Sequence, residues 1–239
     1  MQPSREALTI KLFADGADLE GMLDMASKPY ISGLTTNPTL MRKAGITDYV
    51  RFARDVLREI QTKPISFEVF SDDLEEMKIQ GVKIASLGKN VYVKVPITNT
   101  QGKSTRNVVE FLVNEGVKVN VTALMTQEQV LEIVEVLSLS VESYVSVFAG
   151  RIADTGRDPV PIMKKCIEIL AINKKCELIW ASPRELLNVF QADQIGCHII
   201  TATNDILKKL DLIDTNLNEY SLETVKMFFK DATAAGFKI

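Results

Sequence analysis

The 239-residue sequence has few of the residues that mark several common classes of protein. It contains three cysteines, one histidine, 12 glycines and 8 prolines. Cys166, Cys176 and Cys197 form no CxxC pair and are odd in number, which favours buried thiols in a reducing compartment over a disulfide framework. A single histidine, His198, cannot supply the set of imidazole ligands that catalytic metal sites usually use. We therefore expect metal-free chemistry, and we expect His198 to be a hydrogen-bonded residue near the eighth strand.

Long hydrophobic runs and an excess of one charge are also missing. No apolar run approaches the roughly 18 residues of a membrane span, and Arg5 and Glu6 precede the first apolar stretch, unlike in a signal peptide. The 28 basic and 31 acidic residues give a net charge of −3. This charge gives no general attraction to nucleic acid or to an anionic membrane, so any anionic ligand must be held by locally placed cations. We expect a cytoplasmic protein that binds neither nucleic acid nor membrane.

Short β-branched runs alternate along the chain with segments of helical spacing. Apolar residues recur at i, i+3 and i+4 over residues 50–60 and 130–137, which predicts helices there. Eight runs have the composition of strands, and they begin at Leu8, Ile31, Ile65, Val91, Val117, Tyr144, Glu177 and Cys197. No linker or shift in composition divides the chain. We predict one domain over residues 1–239, a (β/α)₈ TIM barrel of the α/β class, with an open doubly wound sheet as the alternative.

The end of the chain does not belong to this alternation. Residues from about 220 are rich in apolar side chains, among them Leu222, Val225, Phe228 and Phe229. Their spacing predicts an additional C-terminal helix. Its apolar content indicates that it packs either on its own barrel or on a neighbouring subunit.

Polar side chains lie where the predicted strands end, and barrel enzymes keep their chemistry at these ends. Lys94 and Glu68 stand inside otherwise apolar strands, where a charge is costly unless it is paired or functional. Either residue alone could be a buried ion pair or a snorkelling side chain. Together with other polar strand ends they favour a site, and those other ends are Asp15, Thr35, Thr36, Asn37, Asn120, Thr122, Ser146 and Ser182.

The lysine indicates the type of chemistry. An amine at Lys94, enclosed by Val91, Val93 and Val95, is expected to be desolvated, which disfavours the ammonium form. A neutral amine attacks a carbonyl carbon and forms a Schiff base. The sequence therefore predicts covalent catalysis through Lys94. Serine–histidine hydrolysis is disfavoured, because no GxSxG motif occurs.

The remaining polar residues fit the other steps of such a reaction. Loss of water from the first adduct needs a proton shuttle, which Glu68 and Thr122 can provide. Cleavage of a carbon–carbon bond needs a base on a substrate hydroxyl. Asp15 is the remaining carboxylate at a strand end, and Asn37 can hydrogen-bond the retained fragment. These residues predict Schiff-base aldol chemistry.

Two arginines follow late strands. Arg151 comes after the sixth strand and Arg184 after the seventh, with Ser182 close to the second arginine. Phosphate groups commonly bind beside the late strands of a barrel, where guanidinium and hydroxyl groups converge. We therefore predict a phosphate-binding site at these three residues.

Five segments, taken in order, resemble the transaldolase family, in its small-subunit branch. They are GLTTNPTLM from Gly33, YVKVPITNTQG from Tyr92, VNVTALMTQEQ from Val119, YVSVFAGRI from Tyr144 and ASPRELLNVFQADQIG from Ala181. The resemblance covers nearly the whole chain. It implies a (β/α)₈ barrel that forms a Schiff base with a ketose phosphate and transfers a dihydroxyacetone unit to an aldose phosphate. It also implies that no cofactor is needed and that the chain forms homo-oligomers.

The resemblance assigns roles to residues whose motifs match. It implies that Lys94 is the Schiff-base lysine, that Asp15 is the acid and base at the cleaved bond, and that Glu68 and Thr122 handle the catalytic water. The remaining residues would bind substrate: Thr36, Asn37, Asn120, Ser146 and Phe148 its sugar portion, and Arg151, Ser182 and Arg184 its phosphate.

Two readings of the function stay open beside the transaldolase. The fructose-6-phosphate aldolase branch resembles this chain but typically has Gln at the position of Glu68 and Tyr at that of Phe148, so these two residues favour a transferase over a lyase. A catalytically silent barrel that serves as a binding or scaffold subunit is the other reading. Gly16 and Met125 depart from the family's usual residues, which leaves open a sugar outside the pentose phosphate pathway.

Overall fold

Eight parallel strands pair in chain order and close into a barrel. The computed structural model describes residues 7–239. The strands are β1 Lys11–Asp15, β2 Ile31–Thr35, β3 Ile65–Glu68, β4 Val91–Pro96, β5 Val119–Leu124, β6 Ser143–Val147, β7 Cys176–Trp180 and β8 Ile199–Thr203. The helices are α1 Leu19–Ser27, α2 Pro38–Lys43, α3 Tyr49–Glu59, α4 Leu74–Ala85, α5 Arg106–Asn114, α6 Gln127–Val134, α7 Ala149–Asp154, α8 Val160–Leu170, α9 Leu187–Gln194, α10 Asn204–Leu207 and α11 Leu217–Ala234.

The predicted (β/α)₈ barrel is confirmed, and the open-sheet alternative is wrong. Strand β1 pairs with β8 in a register that joins Phe13 to Thr201, so the sheet has no free edge between them. The first strand begins at Lys11, three residues later than predicted. The backbone amides of Thr9 and Ile10 bond to the carboxylate of Asp193 in α9 instead of joining a strand.

Each strand sends alternate side chains to opposite sides of the barrel wall. Val91, Val93 and Val95 of β4 belong to the apolar layer between the barrel and its helices. Tyr92 and Lys94 therefore point to the inside. The same alternation places chemistry-bearing side chains at one end of the interior and apolar ones at the other.

Aromatic rings fill the lower part of the interior, near the amino ends of the strands. Tyr92 and Tyr144 stack with ring centroids 4.1 Å apart, and Phe13 meets Tyr144 edge to face at 5.7 Å. Gly33 makes room for this arrangement, since a Cβ at that position would lie 2.5 Å from the Phe13 ring. We call Phe13, Tyr92 and Tyr144 the aromatic floor.

The lower end of the barrel carries structural polar contacts. Lys11 and Glu177 form an ion pair at 2.8 Å. His198 lies just before β8, and its Nδ1 accepts the backbone N–H of Leu178 at 3.0 Å, which confirms the predicted hydrogen-bonded role. The three cysteines are free and buried, as predicted.

The C-terminal helix is confirmed, but its packing differs from one of the two expectations. Helix α11 begins at Leu217, where the side chain of Asn216 accepts the first free backbone amides. No residue of α11 is buried, and Phe228 and Phe229 are 63% and 75% exposed. The expectation that this helix packs on its own barrel is therefore wrong. Over residues 7–239, no helix is both long and apolar enough to cross a bilayer.

Candidate active site

Lys94 and Glu68 meet inside the upper end of the barrel. The register of β3 and β4 sets Glu68 directly beside Lys94. Lys94 is 6% exposed, and its Nζ lies 3.0 Å from Glu68 Oε2 and donates to the carbonyl of Thr36 at 2.8 Å. The predicted burial of the amine is confirmed. Its surroundings were predicted wrongly, because the valines of β4 face the helices and the amine lies among oxygen atoms.

Asp15 ends β1 on the same side of the barrel. Its Oδ1 accepts the hydroxyl of Thr35 at 2.8 Å, and its Oδ2 accepts the amide of Asn37 at 3.2 Å. Burial raises the pKa of Asp15, while the positive charge of Lys94 works in the opposite direction. The pocket therefore holds a carboxyl group that protonates more readily than an ordinary aspartate.

Asn37 has a fixed orientation because it also begins a helix. Its Oδ1 accepts the backbone amide of Leu40 and caps α2. The capping bond commits the carbonyl oxygen and turns the NH₂ group toward Asp15 and the pocket. The amide is therefore presented as a donor, as a contact with a substrate hydroxyl requires.

Strands β5 and β6 supply neutral polar groups. Ser146 Oγ donates to Asn120 Oδ1 at 2.7 Å, and Asn120 Nδ2 donates to Ser66 Oγ at 3.0 Å. Thr122 lies two residues beyond Asn120 along β5 and pairs with Pro96 of β4. Its hydroxyl is buried and has no hydrogen-bond partner among the described residues. An unpaired buried hydroxyl is costly, so a water or a substrate atom is the expected partner.

The predicted phosphate residues lie together after β6 and β7. Arg151 stands over the ring of Phe148, with its guanidinium carbon 5.7 Å from the centroid. Arg184 donates two parallel hydrogen bonds to the carboxylate of Asp154, and the bond from Nε to Oδ1 measures 2.9 Å. These bonds lower the pKa of Asp154 and fix the plane of the guanidinium. Both cations line the same cavity.

The backbone near the arginines is unusually constrained. Ser182 has a φ of 60°, in the left-handed region that few residues other than glycine adopt. A Cβ at Gly150 would lie 1.5 Å from the carbonyl oxygen of Ser182, so the first turn of α7 touches the loop after β7 where Gly150 has no side chain. Such strain is typical of sites where geometry serves binding.

One cavity of about 650 Å³ joins most of these residues. It is lined by Asp15, Asn37, Glu68, Lys94, Thr122, Ser146, Phe148, Arg151, Ser182 and Arg184, all of which were predicted from the sequence. Thr36 and Asn120 do not line it. Thr36 is fully buried, and its hydroxyl donates to the carbonyl of Ser66, so it reaches the site through its own carbonyl only. Asn120 lies beneath Ser146 and orients it.

Several site residues were missed by the sequence analysis. Thr201 lines the cavity, and its hydroxyl oxygen lies 2.6 Å from that of Thr35, which the sequence analysis named as a polar strand end without giving it a role. Asp154 orients Arg184, and the hydroxyl of Tyr49 donates to the carbonyl of Glu68 at 2.7 Å. Thr35 could have been favoured over Thr36, because side chains alternate along β2 and Thr35 is the one that faces the barrel interior. Asp154 and Tyr49 lie on helices and Thr201 lies in the middle of β8, so none of the three left a signal in the sequence pattern.

Comparison with known proteins agrees with this geometry. The family described as Transaldolase/Fructose-6-phosphate aldolase matches residues 12–239. A "probable transaldolase" of Thermoanaerobacter sp. (strain X514) is 33% identical over 231 residues, which are 96% of this chain and 100% of that protein. One from Clostridium acetobutylicum is 34% identical over 227 residues, with 93% and 99% covered.

A solved structure supports the fold alone. A protein from Coccidioides immitis, described as of the dihydrodipicolinate synthase family, matches with a TM-score of 0.62 at 11% identity, over 100% of this chain and 81% of that one.

The matches in sequence extend over nearly the whole barrel and include the strand ends that line the cavity. The chain therefore belongs to the transaldolase/fructose-6-phosphate aldolase family.

Proposed function

We propose that this protein is a class I transaldolase. It would form a Schiff base with a ketose phosphate, transfer a dihydroxyacetone unit to an aldose phosphate and need no cofactor. The observation that carries the proposal is the buried Lys94 amine, 3.0 Å from Glu68 and in one cavity with Asp15. The relatives named as probable transaldolases support the same reaction class.

The first step forms the covalent adduct. Lys94 passes a proton to Glu68 and attacks the ketone carbon, which gives a carbinolamine. Glu68 then returns a proton to the carbinolamine hydroxyl, which leaves as water while the nitrogen lone pair forms the iminium bond. The unpaired hydroxyl of Thr122 is available to hold this water. Glu68 thus acts first as a base and then as an acid.

The second step breaks a carbon–carbon bond. Asp15 takes the proton of the hydroxyl on the carbon two positions from the iminium carbon. That oxygen becomes an aldehyde carbonyl, the bond to the neighbouring carbon breaks, and its electron pair moves to the iminium nitrogen to give an enamine. The aldose phosphate leaves and an acceptor aldehyde takes its place. The enamine attacks it, Asp15 returns the proton, and water releases the new ketose from Lys94.

The cations after β6 and β7 suit the phosphate end of both sugars. Arg151 and Arg184 line the same cavity as Lys94, so a phosphate there would place the carbon chain toward the amine. Ser182 adds a hydroxyl between them. Asn37 and Ser146 would bind sugar hydroxyls, with Asn120 holding Ser146 in place.

A lyase is the second candidate, and Phe148 argues against it. Release of free dihydroxyacetone needs a proton on the enamine carbon. Phe148 lines the cavity and has no acidic proton, whereas a tyrosine there could supply one. The enamine is then expected to wait for an acceptor aldehyde.

Trapping with borohydride tests the proposal. Incubation with fructose 6-phosphate and borohydride should reduce the iminium and leave a stable mass adduct on Lys94. A coupled assay across several aldose phosphates should show transfer that requires an acceptor. Free dihydroxyacetone formed at a comparable rate without acceptor would show a lyase, and the absence of an adduct would favour the scaffold.

We also propose that the protein is a cytoplasmic homo-oligomer joined through α11. The helix exposes Val225, Phe228 and Phe229 and makes no buried contact with its own barrel. An exposed apolar face of this kind is typical of a subunit contact. The mass in solution should be a multiple of 26.6 kDa, and Phe228→Glu with Phe229→Glu should reduce it. A monomeric mass for the unaltered chain would contradict the proposal.

A further inference from the structure

A row of two hydroxyls leads from β8 to the carboxylate of Asp15. Thr201 Oγ1 and Thr35 Oγ1 are 2.6 Å apart, and Thr35 Oγ1 is 2.8 Å from Asp15 Oδ1. Both threonines are buried. The three residues stand on β8, β2 and β1, which are neighbours in the closed barrel. The catalytic roles proposed above use neither hydroxyl.

The direction of donation follows from the number of protons. An ionised carboxylate accepts hydrogen bonds only, so Thr35 donates its one hydroxyl proton to Asp15. The short contact between the two threonines must then be donated by Thr201. Hydroxyls arranged in series polarise one another, and a donor that itself accepts a bond becomes a stronger donor.

We infer that Thr201 is a positioning residue for Asp15 and acts through Thr35. Thr201 supports Thr35, and Thr35 holds Oδ1 of the carboxylate with the shorter bond of 2.8 Å. Oδ2 accepts the longer bond of 3.2 Å from Asn37 and is the oxygen that takes the proton of the substrate hydroxyl. This inference rests on the proposed function, in which Asp15 is the base of the cleavage step. It also assigns the proton transfer to one of the two carboxylate oxygens.

The groups around Asp15 change its pKa in opposite directions, and the hydrogen bonds of the hydroxyl row are among those that lower it. Burial raises the pKa of Asp15, the charge of Glu68 on β3 raises it further, and Lys94 on β4 lowers it. Asp205 in α10 lines the same cavity from the β8 side. The hydrogen bonds of Thr35 and Asn37 also lower the pKa. They thereby favour the ionised form of this half-buried carboxyl group, in which it can act as a base.

A direct titration tests this role without any need for activity. The ¹³C signals of labelled aspartate carboxyls would be followed against pH, with Asp15→Asn used to assign the signal of Asp15. We expect Thr35→Val to raise the titration midpoint by about one pH unit and Thr201→Val by about half a unit. Thr201→Ser keeps the hydroxyl and should restore the original midpoint.

Thr105→Val is the matched control. Thr105 is buried, and its hydroxyl donates to the carbonyl of Pro96, away from Asp15. This variant loses the same group from a buried bond and should leave the Asp15 midpoint unmoved. An equal shift in Thr105→Val and Thr201→Val would reduce Thr201 to a general packing role and overturn the inference.

The double variant separates action through Thr35 from a direct effect. If Thr201 works only through Thr35, then Thr35→Val with Thr201→Val should titrate like Thr35→Val alone, because the coupling partner is already gone. Additive shifts would show that Thr201 reaches Asp15 by another route. An unshifted Thr201→Val would show that it has no such role.

Kinetics then connect the row to turnover. In Thr201→Val we expect kcat for transfer to fall about threefold to tenfold with little change in KM, since the cleavage step weakens while binding is kept. Borohydride trapping on Lys94 should keep its rate, because that step uses Glu68. A wild-type protein without transfer activity would refute the proposed function, whereas the titration would still decide the role of Thr201.

Discussion

The two ends of the barrel interior are built from the same strands and differ in almost every physical respect. Strand β4 carries Tyr92 below and Lys94 above, and β6 carries Tyr144 below and Ser146 above. The lower residues form the aromatic floor, with rings in stacked and edge-to-face contact. The upper residues form a polar network around an open cavity.

A step of two residues along a strand therefore separates packing from chemistry. Side chains at i and i+2 point to the same side of a strand, about 7 Å apart along it. The rigid lower layer removes the freedom of the strands that carry the upper one, which helps to hold catalytic groups at fixed distances. Substitutions above should thus change activity, and substitutions below should change stability.

The largest expected effect tests the upper end. Lys94→Met should abolish the borohydride adduct and lower the rate of transfer by at least about a thousandfold, because the nucleophile is gone. The barrel should remain folded, since the side chains are similar in volume and the cavity lets water reach Glu68. Circular dichroism and a trapping assay read by mass spectrometry would measure the two properties.

Lys11→Met is the corresponding substitution at the lower end. Lys11 pairs with Glu177 on the opposite face and is half exposed. This variant should keep both adduct and turnover. Loss of the adduct in Lys11→Met, or its persistence in Lys94→Met, would contradict the division between the two ends.

The aromatic floor gives the next largest effect. Phe13→Ala should lower the free energy of unfolding by about 3–5 kcal/mol, because a fully packed ring leaves a cavity that its neighbours fill only in part. Chemical denaturation would measure the loss. Phe111→Ala, at a partly exposed ring on α5, should cost less. The folded fraction of Phe13→Ala should still form the borohydride adduct on Lys94. If a fully folded sample of this variant lost the adduct, the aromatic floor would be shown to affect the active site directly.

The pH dependence of transfer sharpens the description of the upper end. Asp15 must be ionised to act as a base, and its pKa is raised by burial. As the pH falls through this raised pKa, the base is lost, so the acid limb of kcat should lie above the range of an ordinary aspartate. A profile across pH 4–9 (about five units) with constant ionic strength would measure it. An acid limb in the normal range of aspartate would exclude this assignment.

The smallest effect concerns a polar atom of the floor. The hydroxyl of Tyr92 donates to Glu142 at 3.1 Å, and Glu142 also pairs with Lys118. Tyr92→Phe removes this bond but keeps the stacked ring, so the free energy of unfolding should fall by only about 0.5–1.5 kcal/mol. Kinetic constants should not change. An altered kcat would mean that the two ends are coupled.

The sequence predicts the residues of the upper end better than the contacts that orient them. The eight strands follow from β-branched runs separated by helical spacing, and polar residues at strand ends give Lys94, Glu68 and Asp15 their common location. A threonine in the middle of a strand leaves no comparable signal, because threonine is also an ordinary β-former. Thr201 was missed for this reason, and the partner of Arg184 was missed because the path of α7 decides it.

The C-terminal helix shows a different limit of sequence analysis. Its existence follows from the apolar spacing after residue 220, and its start at Leu217 differs by three residues because Asn216 supplies the cap. Amphipathic spacing shows that a face will be covered but does not tell by what. The sequence therefore could not decide whether α11 packs on its own barrel or on a neighbouring subunit. The structure excludes packing on its own barrel.

The contact between Gly150 and Ser182 bears on attempts to retarget the enzyme. In a saturation library at position 150, nearly every variant would be unfolded or would have a displaced loop after β7, because even a methyl group collides with the Ser182 carbonyl oxygen. Diversity is better placed at Phe148, whose side chain lines the cavity under Arg151. Screening for altered substrate preference belongs on that position.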